Sequence, residues 1–241
     1  MAAGRYNDNL AQPGSIRSLA RMTTRVLIAD DHPLFRTALV QALSACLEDV
    51  DVMEARDLPD TIERLSEHEN IDLLLLDLHM PGNHGLTGLA SIRCQFPAVA
   101  VVVVSANEDP RVIRRALDHG AAGFIPKSSS LDQLTEALDT VLDCREWVPP
   151  HLARHVANTG SDDADLELAD RIASLTPQQF RVLELVADGR LNKQIADTLA
   201  IQERTVKAHM SEILQKLEVR NRTQAGIAFR RLELVDPASR V

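Results

Sequence analysis

Between residues 25 and 142, short runs of consecutive apolar residues alternate with longer segments in which apolar residues recur with helical spacing. The short runs are typical of parallel strands that are buried on both faces, and the longer segments of amphipathic helices. Strict alternation of five strands with five helices predicts a doubly wound parallel sheet with right-handed crossovers, an α/β fold. Strands are predicted at 26–29, 50–53, 71–77, 99–104 and 123–125, and helices at 33–46, 58–67, 87–95, 110–120 and 131–142.

The third predicted strand ends in a carboxylate. Four consecutive leucines lead directly into Asp77, and Pro81 and Gly82 follow shortly afterwards. Ligands of open α/β sheets collect at the carboxyl ends of the strands, so Asp77 lies where chemistry is usual. The alternative is that Asp77 only begins the turn before Pro81.

Polar side chains also follow three other predicted strands. Asp30 and Asp31 follow the first, Ser105 the fourth and Lys127 the fifth. Because the strands are parallel, these residues share one edge with Asp77, where three carboxylates would repel one another unless a cation lay among them. Their hard oxygen atoms suit Mg²⁺, which keeps open positions for a phosphoryl oxygen. Lys127 and Ser105 then supply a positive charge and a hydroxyl donor for a phosphoryl group.

Asp77 is the natural nucleophile of this set, because no His or Cys is positioned as a separate one, and an aspartyl phosphate is predicted. Each residue also has an ordinary explanation. Asp30 or Asp31 could cap a helix, Lys127 could be a solvated charge, and Ser105 could be a loop hydroxyl. The chemical interpretation is favoured because the ordinary one needs five coincidences at the same edge.

Four short motifs lie at these strand ends: Asp30-Asp31, Asp77 with Met80-Pro81-Gly82 behind it, Ser105-Ala106 and Phe124-Ile125-Pro126-Lys127. Together they resemble the receiver domain of bacterial two-component response regulators, over about residues 25–144. The resemblance implies that Asp77 is the phosphoacceptor. It also implies that Asp31, Asp77 and the backbone carbonyl of His79 bind Mg²⁺ directly, while Asp30 holds a metal-bound water.

The same resemblance implies roles for the other strand-end residues. Lys127 would pair with the phosphate, and Ser105 and Phe124 would form a switch pair that moves inward when phosphate arrives. His79 and Asn107 occupy positions that in receivers tune the lifetime of the phosphate.

Two segments lack the strand and helix pattern. Residues 1–24 are predicted to be a disordered lead, with either Met1 or Met22 as the native start. Residues 146–172 are polar and acidic and are predicted to be a flexible linker, although 165–174 could extend a helix into the next domain. The predicted domains are therefore 25–145 and 173–241.

The second domain begins with a strong helix start. Thr176 as N-cap and Gln179 at the third helical position form a capping box, while Leu175 and Phe180 form a hydrophobic staple. Pro177 suits the first helical position. Four helices are predicted, at 177–187, 192–199, 203–217 and 222–232, with a turn at 200–202.

A short helix, a tight turn and a longer helix form the helix-turn-helix arrangement, in which the longer helix enters the major groove of DNA. The alternative is a generic helical bundle with a solvated face. Glu212, in the middle of that face, favours the bundle slightly.

Four motifs in this domain resemble the LuxR-type DNA-binding domain: Leu175-Thr176-Pro177, Asn192-Lys193-Gln194-Ile195-Ala196, Thr205-Val206-Lys207-Ala208-His209 and Lys216-Leu217-Glu218-Val219-Arg220-Asn221-Arg222-Thr223. Joined to a receiver, this is similar to the NarL/FixJ class of response regulators, and the resemblance covers residues 25–232. It implies that Lys207, Ala208 and Ser211 contact DNA, with Thr205 and Arg222 available for phosphates.

Several residues depart from the pattern of that class. Ala200 and Gln202 replace the usual Gly and Ser of the turn, which predicts strain at Ala200 and a weakly capped recognition helix. Ser211 is short where a basic residue is frequent, and Gln179 and Gln194 stand where Glu is usual.

Charge divides the chain in the same way as the motifs. Residues 1–173 carry 15 Lys and Arg against 27 Asp and Glu, a net of −12, whereas residues 174–241 carry 11 against 8, a net of +3. A basic second domain suits an anion such as DNA, although +3 is a weak signal by itself.

Composition excludes other classes of protein. No apolar run approaches the roughly 20 residues of a membrane helix, and residues 1–21 lack the apolar region of a signal peptide, so a cytoplasmic protein is expected. Cys46, Cys94 and Cys144 have no metal-ligand spacing and are predicted to be small core residues in a reducing compartment.

The sequence therefore predicts a transcriptional regulator and not an enzyme. A sensor histidine kinase would phosphorylate Asp77, and the second domain would bind double-stranded DNA as a homodimer. One alternative is a regulator that binds DNA without needing phosphate. Another is an aspartate-nucleophile phosphohydrolase, which is disfavoured because such enzymes generally place a second Asp where His79 stands here.

Overall fold

The computed structural model describes residues 23–233 except 69, 84, 161 and 162. The lead predicted at 1–24 lies outside the described residues apart from its last two, and Thr24 already opens the first strand. Among the described residues, no helix is both long and apolar enough to cross a membrane.

The predicted five-stranded parallel sheet is confirmed, with strand order β2-β1-β3-β4-β5. β3 lies at its centre and ends at Asp77, as predicted. Since all five strands run in the same direction, their carboxyl ends meet at one edge. The strands are β1 (Thr24–Ala29), β2 (Val50–Ala55), β3 (Leu73–Asp77), β4 (Ala100–Ser105) and β5 (Gly123–Pro126).

Five helices cover the two faces of this sheet. Leu74 and Leu76 point into a core with α2, α3 and α4, whereas Leu73 and Leu75 point into a core with α1 and α5. Successive strand residues face opposite sides, which is why a run of four leucines is buried on both. The helices are α1 (Pro33–Cys46), α2 (Leu58–Glu67), α3 (Thr87–Gln95), α4 (Pro110–Asp118) and α5 (Leu131–Leu142).

The segment predicted as a flexible linker contains two helices, so that prediction was wrong for most of its length. In the first, α6 (Pro150–Asn158), Val156 is 3% exposed and packs with Leu152 against the core beside α2, α3 and α4. Leu152 and Val156 are four residues apart, which is a helical spacing, but the polar residues around them favoured the prediction of a linker.

The second linker helix, α7 (Asp163–Ala173), confirms the alternative prediction that residues 165–174 extend a helix into the next domain. Leu168 and Ile172, four residues apart, are buried in the core of that domain. They form one apolar face on an otherwise acidic helix.

The second domain is a helical unit around an apolar core, as predicted. Phe180 and Phe229 meet edge to face in that core, with ring centroids 5.5 Å apart. The predicted capping box is confirmed, since Thr176 Oγ1 accepts from the amide of Gln179 and Gln179 Oε1 accepts from the amide of Thr176. Its helices are α8 (Pro177–Ala187), α9 (Asn192–Thr198), α10 (Glu203–Lys216) and α11 (Arg222–Arg230).

The two domains are in contact through α3 and α4. Ala90 and Cys94 of α3 pack into the core of the second domain, and Cys94 Sγ donates to the carbonyl of Leu175 over 2.9 Å. Burial raises the pKa of the Cys94 thiol, and the charge of Lys216 opposes this only in part. Cys94 is therefore a protonated donor at the interface.

A second group of contacts joins α4 to α7 and to the end of α11. Asp165 Oδ2 lies 3.4 Å from Arg115 Nε, and Asp165 Oδ1 lies 3.3 Å from Arg231 Nη2. The amide of Leu86 donates to the carbonyl of Leu232 over 3.0 Å. Charged and backbone contacts thus add to the apolar contact of α3.

The cysteines depart in part from their prediction as core residues. Cys46 and Cys94 are half-buried, but Cys144 is exposed just after α5. Its φ of 59° is a left-handed conformation that usually belongs to glycine at a helix end. The apolar character of Cys144 therefore does not place it in the core.

Candidate metal centre and nucleic-acid interface

Three of the predicted strand-end residues are in direct contact. Lys127 Nζ lies 2.6 Å from Asp30 Oδ2 and 2.9 Å from Asp77 Oδ2, and each aspartate is 1% exposed. Burial by itself would lower the pKa of Lys127, but hydrogen bonds and charges from the two aspartates outweigh it and raise that pKa. Lys127 is therefore the charged counter-ion of two buried carboxylates.

Asp31 and His32 extend this cluster along the loop after β1. Asp30 Oδ1 accepts from the amide of His32 over 2.7 Å, and the carbonyl of Asp30 accepts from Arg36 Nη1 over 2.6 Å. One ligand atom from each of Asp30, Asp31, His32 and Asp77 lies within 4.8 Å of the others. The side chain of Asp31 is 33% exposed, which leaves the cluster open to solvent on one side. This donor set fits a divalent cation with water in its remaining positions.

The loop after β3 holds Asp77 in place. The amide of His79 donates to Asp77 Oδ1 over 3.0 Å. Asn83 Nδ2 donates to the carbonyl of Asp77 over 2.9 Å, and Asn83 Oδ1 accepts from the amide of Gly88 at the start of α3 over 2.9 Å. A Cβ at Gly88 would lie 2.6 Å from Asn83 Oδ1, so a larger residue there would displace the Asn83 side chain. Asn83 is a site residue that the sequence did not predict, because an Asn after Gly82 is typical of an ordinary turn.

An open cleft of about 1010 Å³ lies in front of Asp77 and Lys127. Lys127 Nζ is 4.8 Å from the ring centroid of Phe35, which places the ammonium against the wall formed by α1. The remaining lining residues come from the start of α1 and from the loops after β3 and β4: His32, Leu34, Ala38, His79, Ala106, Asn107 and Asp109.

Ser105 and Phe124 are both fully buried behind this cleft. Ser105 Oγ accepts from the amide of Asn107 over 3.2 Å, and the amide of Phe124 donates to the carbonyl of Trp147 over 3.1 Å. Phe124 belongs to the core formed with α2, α3 and α4. The structure therefore places Ser105 beside Ala106 of the cleft wall and Phe124 in the apolar interior.

The predicted DNA contacts of α10 share one exposed face. Lys207, Ala208 and Ser211 are exposed and Thr205 is half-buried. Lys207 Nζ lies 3.0 Å from Glu203 Oε1 one turn earlier, an exposed pair that is easily exchanged for another anion. The face presents its basic and small polar side chains to solvent.

Arg222 lies at the start of α11 and is already engaged within the domain. Its Nη1 donates to Asn192 Oδ1 over 2.8 Å, and its Nη2 donates to the carbonyl of Arg190. These bonds tie α11 to the start of α9. The guanidinium of Arg222 is therefore engaged by Asn192 and Arg190 within its own domain.

Glu212, which favoured a generic bundle, points to the scaffold. It accepts from Nε2 of the buried Gln179, whose Oε1 accepts in turn from Lys216 Nζ over 2.8 Å. Its carboxylate is thus joined through Gln179 to Lys216, and these bonds connect α10 to α8.

The turn before α10 shows the strain predicted for it. Ala200 has a φ of 52°, and Gln202 caps α10 without a side-chain hydrogen bond. Both features raise the free energy of this turn relative to one with Gly and Ser.

The fold and these two sites define a class of protein, and comparison with known families agrees with it. Residues 26–139 match the response regulator receiver domain, and residues 173–228 match the luxR family of bacterial regulatory proteins. The chain belongs to the NarL/FixJ class of DNA-binding response regulators.

Several relatives share both domains. The chain is 43% identical over 204 residues to the glycerol metabolism activator of Pseudomonas putida, covering 83% of this chain and 92% of that one. It is 34% identical over 207 residues to the nitrate/nitrite response regulator protein NarL of Escherichia coli K12, covering 84% and 93%. A solved structure of two RcsB dimers bound to two parallel DNAs matches with a TM-score of 0.55 and 25% identity, covering 88% and 100%.

Proposed function

We propose that this chain is a cytoplasmic transcriptional regulator whose DNA binding is controlled by phosphorylation of Asp77 by a sensor histidine kinase. The observation that carries the proposal is the buried contact of Lys127 with both Asp30 and Asp77 in a chain that also has an exposed helix-turn-helix face. A buried carboxylate with a lysine counter-ion and an open cleft in front of it suits phosphoryl transfer.

The cleft residues would have separate roles in accepting a phosphoryl group. Asp31, Asp77 and the carbonyl of His79 would hold Mg²⁺, with Asp30 acting through a water; the ion would neutralise charge on the phosphoryl oxygens. The amide of His79 fixes one oxygen of Asp77, and a carboxylate oxygen of Asp77 attacks phosphorus. A phosphorus–oxygen bond forms while the phosphorus–nitrogen bond to the donor histidine breaks, leaving that histidine neutral. Lys127 then pairs with a phosphate oxygen.

The phosphate would be detected by residues behind the cleft. Ser105 would turn its hydroxyl toward the new phosphate oxygens, and Phe124 would occupy the space behind it. Because Lys127 leaves Asp77 to pair with phosphate, its contacts with β1 and β3 change as well. Such local changes bias an equilibrium between two arrangements of the chain, and the second domain would respond to that bias.

In the activated state the second domain would bind double-stranded DNA as a homodimer on paired half-sites. Lys207, Ala208 and Ser211 would enter the major groove, and Thr205 and Arg222 would contact phosphates after Arg222 exchanges its bonds within the domain. The structure of RcsB dimers bound to DNA supports binding as a dimer.

The phosphorylation step is tested by incubating the chain with acetyl phosphate and Mg²⁺ and measuring its intact mass. Wild type should gain one phosphoryl group and Asp77→Asn should gain none. Asp72→Asn is a matched control, because Asp72 is an exposed aspartate that immediately precedes β3, at the end of the strand opposite to Asp77. This substitution should leave labelling unchanged. Equal labelling of Asp77→Asn and wild type would overturn the assignment.

The DNA-binding face is tested separately through its salt dependence. Lys207→Ala should weaken binding to DNA and reduce the slope of log K against log salt by about 1, because one of the positive charges that neutralise the DNA phosphates is lost. Arg145→Ala, an exposed charge beyond α5 on the receiver, serves as the control and should leave the slope unchanged. An unchanged slope for Lys207→Ala would remove this residue from the interface.

A further inference from the structure

A single buried side chain joins the backbone at the end of β3 to the start of α3. Asn83 is 5% exposed, and its Nδ2 donates to the carbonyl of Asp77 over 2.9 Å. Its Oδ1 accepts from the amide of Gly88, in the first turn of α3, over 2.9 Å. An amide side chain carries both a donor and an acceptor, so it can bridge two backbone groups in this way. Asp77 and α3 are therefore linked by two hydrogen bonds in series.

The segment that follows Asn83 is also the segment that contacts the second domain. The amide of Leu86, immediately before α3, donates to the carbonyl of Leu232 at the end of that domain's last helix over 3.0 Å. Farther along α3, Cys94 Sγ donates to the carbonyl of Leu175 over 2.9 Å. The bridge made by Asn83 thus ends on the helix that holds the two domains together.

The helix α3 is shared between two packed cores. Leu89 and Ile92 are fully buried in the core of the first domain, whereas Ala90 and Cys94 pack in the core of the second. Packed cores change between discrete arrangements and do not deform continuously. A small shift at the start of α3 is therefore felt at the surface that α3 shares with the second domain.

The other end of the bridge changes when Asp77 is phosphorylated. Lys127 Nζ contacts Asp77 Oδ2 over 2.9 Å, and the amide of His79 donates to Asp77 Oδ1 over 3.0 Å. A phosphoryl group on one of these oxygens replaces at least one of the two contacts. We propose that Asn83 is a positioning residue that passes this change to α3 and so makes the contact between the domains depend on the state of Asp77. This inference rests on the proposed phosphorylation of Asp77.

The competing explanation is that Asn83 only stabilises the loop after β3. That loop has turn contacts of its own, since the amide of Asn83 donates to the carbonyl of Met80, and Gly82 and Gly85 have φ angles of 79° and 67°. The two explanations differ in one respect. If Asn83 only stabilises the loop, phosphorylation will still act on the domain contact after the bridge is removed.

The test measures the reactivity of Cys94 with N-ethylmaleimide in the full chain, before and after incubation with acetyl phosphate and Mg²⁺. Peptide mass spectrometry reports each cysteine separately, and intact mass reports the extent of phosphorylation in the same samples. Wild-type Cys94 should react slowly at first and about tenfold faster after phosphorylation, because a minor open arrangement becomes the major one. The exposed Cys144 is an internal control and should react at the same rate in both states.

Two variants remove the bridge from opposite ends. Asn83→Ser is too short to reach both backbone groups. Gly88→Ala leaves Asn83 in place but puts a Cβ 2.6 Å from its Oδ1, which displaces the side chain. At equal extents of phosphorylation, both variants should keep a slow Cys94 in both states, so the ratio of the two rates falls from about ten to about one.

The same substitutions in the second domain serve as matched controls. Asn221→Ser keeps a good N-cap for α11, whose cap is the side chain of Asn221. Gly226→Ala introduces a Cβ whose nearest neighbour, Ala187 Cα, lies at an ordinary 3.6 Å. Both controls should keep the wild-type ratio of Cys94 rates.

The results separate this inference from the proposed function. A wild-type ratio in Asn83→Ser and Gly88→Ala would overturn the inference, and so would a fast Cys94 in both states, since the contact would then simply be broken. If wild type gains its phosphoryl group without a change at Cys94, the inference falls and the phosphorylation of Asp77 stands. If wild type gains no phosphoryl group, the proposed function falls with the inference.

One measurement needs no variant to fold. The amide of Leu86 bonds to the carbonyl of Leu232 in the second domain, so its hydrogen exchange reports the opening of the domain contact. Exchange at Leu86 should become faster in wild type on phosphorylation. Unchanged exchange in the phosphorylated chain would overturn the inference.

Discussion

The cleft at the sheet edge and the exposed face of α10 are organised in opposite ways. In the cleft, the functional side chains hold one another, and Lys127 contacts both Asp30 and Asp77. On α10, Lys207 pairs with Glu203 of its own helix, and Ser211 donates to the carbonyl of Lys207 one turn earlier. The cleft is a buried network, whereas the α10 face is a row of solvated side chains.

This difference teaches where function and stability are coupled. A buried ion pair that loses one partner leaves an uncompensated charge, so a change in the cleft affects the stability of the fold. An exposed side chain loses little when its partner is removed, so a change on α10 affects binding alone. The α10 face depends instead on the turn and the core that position it.

The largest expected effect comes from removing one lysine from each site. Lys127→Met leaves Asp30 and Asp77 buried without their counter-ion, and the free energy of unfolding should fall by about 3–5 kcal/mol. Lys207→Met loses only an exposed pair, and stability should change by less than about 0.5 kcal/mol. Urea unfolding of both variants measures the difference.

Unfolding of the same two variants in the presence of Mg²⁺ extends this comparison. If the cleft binds the ion, millimolar Mg²⁺ should restore part of the stability lost in Lys127→Met, because the ion replaces the missing positive charge. If Lys127→Met and Lys207→Met lost equal amounts of unfolding free energy, the contrast between a buried network and a solvated face would be contradicted.

The next effect concerns the buried His119 at the end of α4. Burial, assisted by the charge of Arg115, lowers its pKa to about 4, against the opposing charges of Asp165 and Asp118. Below pH 6.5 the unfolded chain takes up a proton that the folded chain refuses until about pH 4, so stability falls as the pH falls through that window. Between pH 7 and pH 5 the loss should be about 2 kcal/mol.

Unfolding of His119→Gln at the two pH values isolates the contribution of His119 to the pH dependence of stability. The variant should lose about 2 kcal/mol less than wild type on acidification, whatever its stability at pH 7. His155→Gln, an exposed histidine, should keep the wild-type pH dependence. A wild-type response in His119→Gln would show that His119 titrates normally in the folded chain.

The smallest effect is at the turn that positions α10. Ala200→Gly should raise the free energy of unfolding by about 1 kcal/mol, because glycine relieves the left-handed strain at φ 52°. Ala208→Gly, within α10, should lower it by about 1 kcal/mol, since glycine weakens a helix. Thermal unfolding compares them, and a loss of stability in both would show that the turn is not strained.

The sheet and its edge could be predicted because their signals are local. Buried parallel strands appear as runs such as Leu73 to Leu76, and a polar residue at the end of each run is placed by the topology alone. For the same reason the bounds of α2, α3 and α5 agree with their predictions. Hydrophobic periodicity and helix-end signals were sufficient to predict the bounds of these helices.

Contacts between distant segments could not be predicted in this way. Nothing local distinguishes Asn83 from an ordinary turn residue, yet it joins the carbonyl of Asp77 to α3. The same holds for Ala90 and Cys94, which pack in the other domain, and for Arg222, whose guanidinium is occupied within its own domain. These features depend on tertiary packing, which a single sequence does not display. The helix α7 lies between these two cases. Its apolar residues have helical spacing, but its acidic composition favoured the prediction of a linker.

The central claim is that the state of Asp77 controls the α10 face in the other domain. The most direct measurement is the affinity of the full chain for its target DNA, identified by genome-wide pull-down, with and without acetyl phosphate and Mg²⁺, in wild type and in Asp77→Asn. The account predicts tighter binding with acetyl phosphate in wild type and no change in Asp77→Asn. Equal affinities of wild type under both conditions, or an increase that persists in Asp77→Asn, would contradict it.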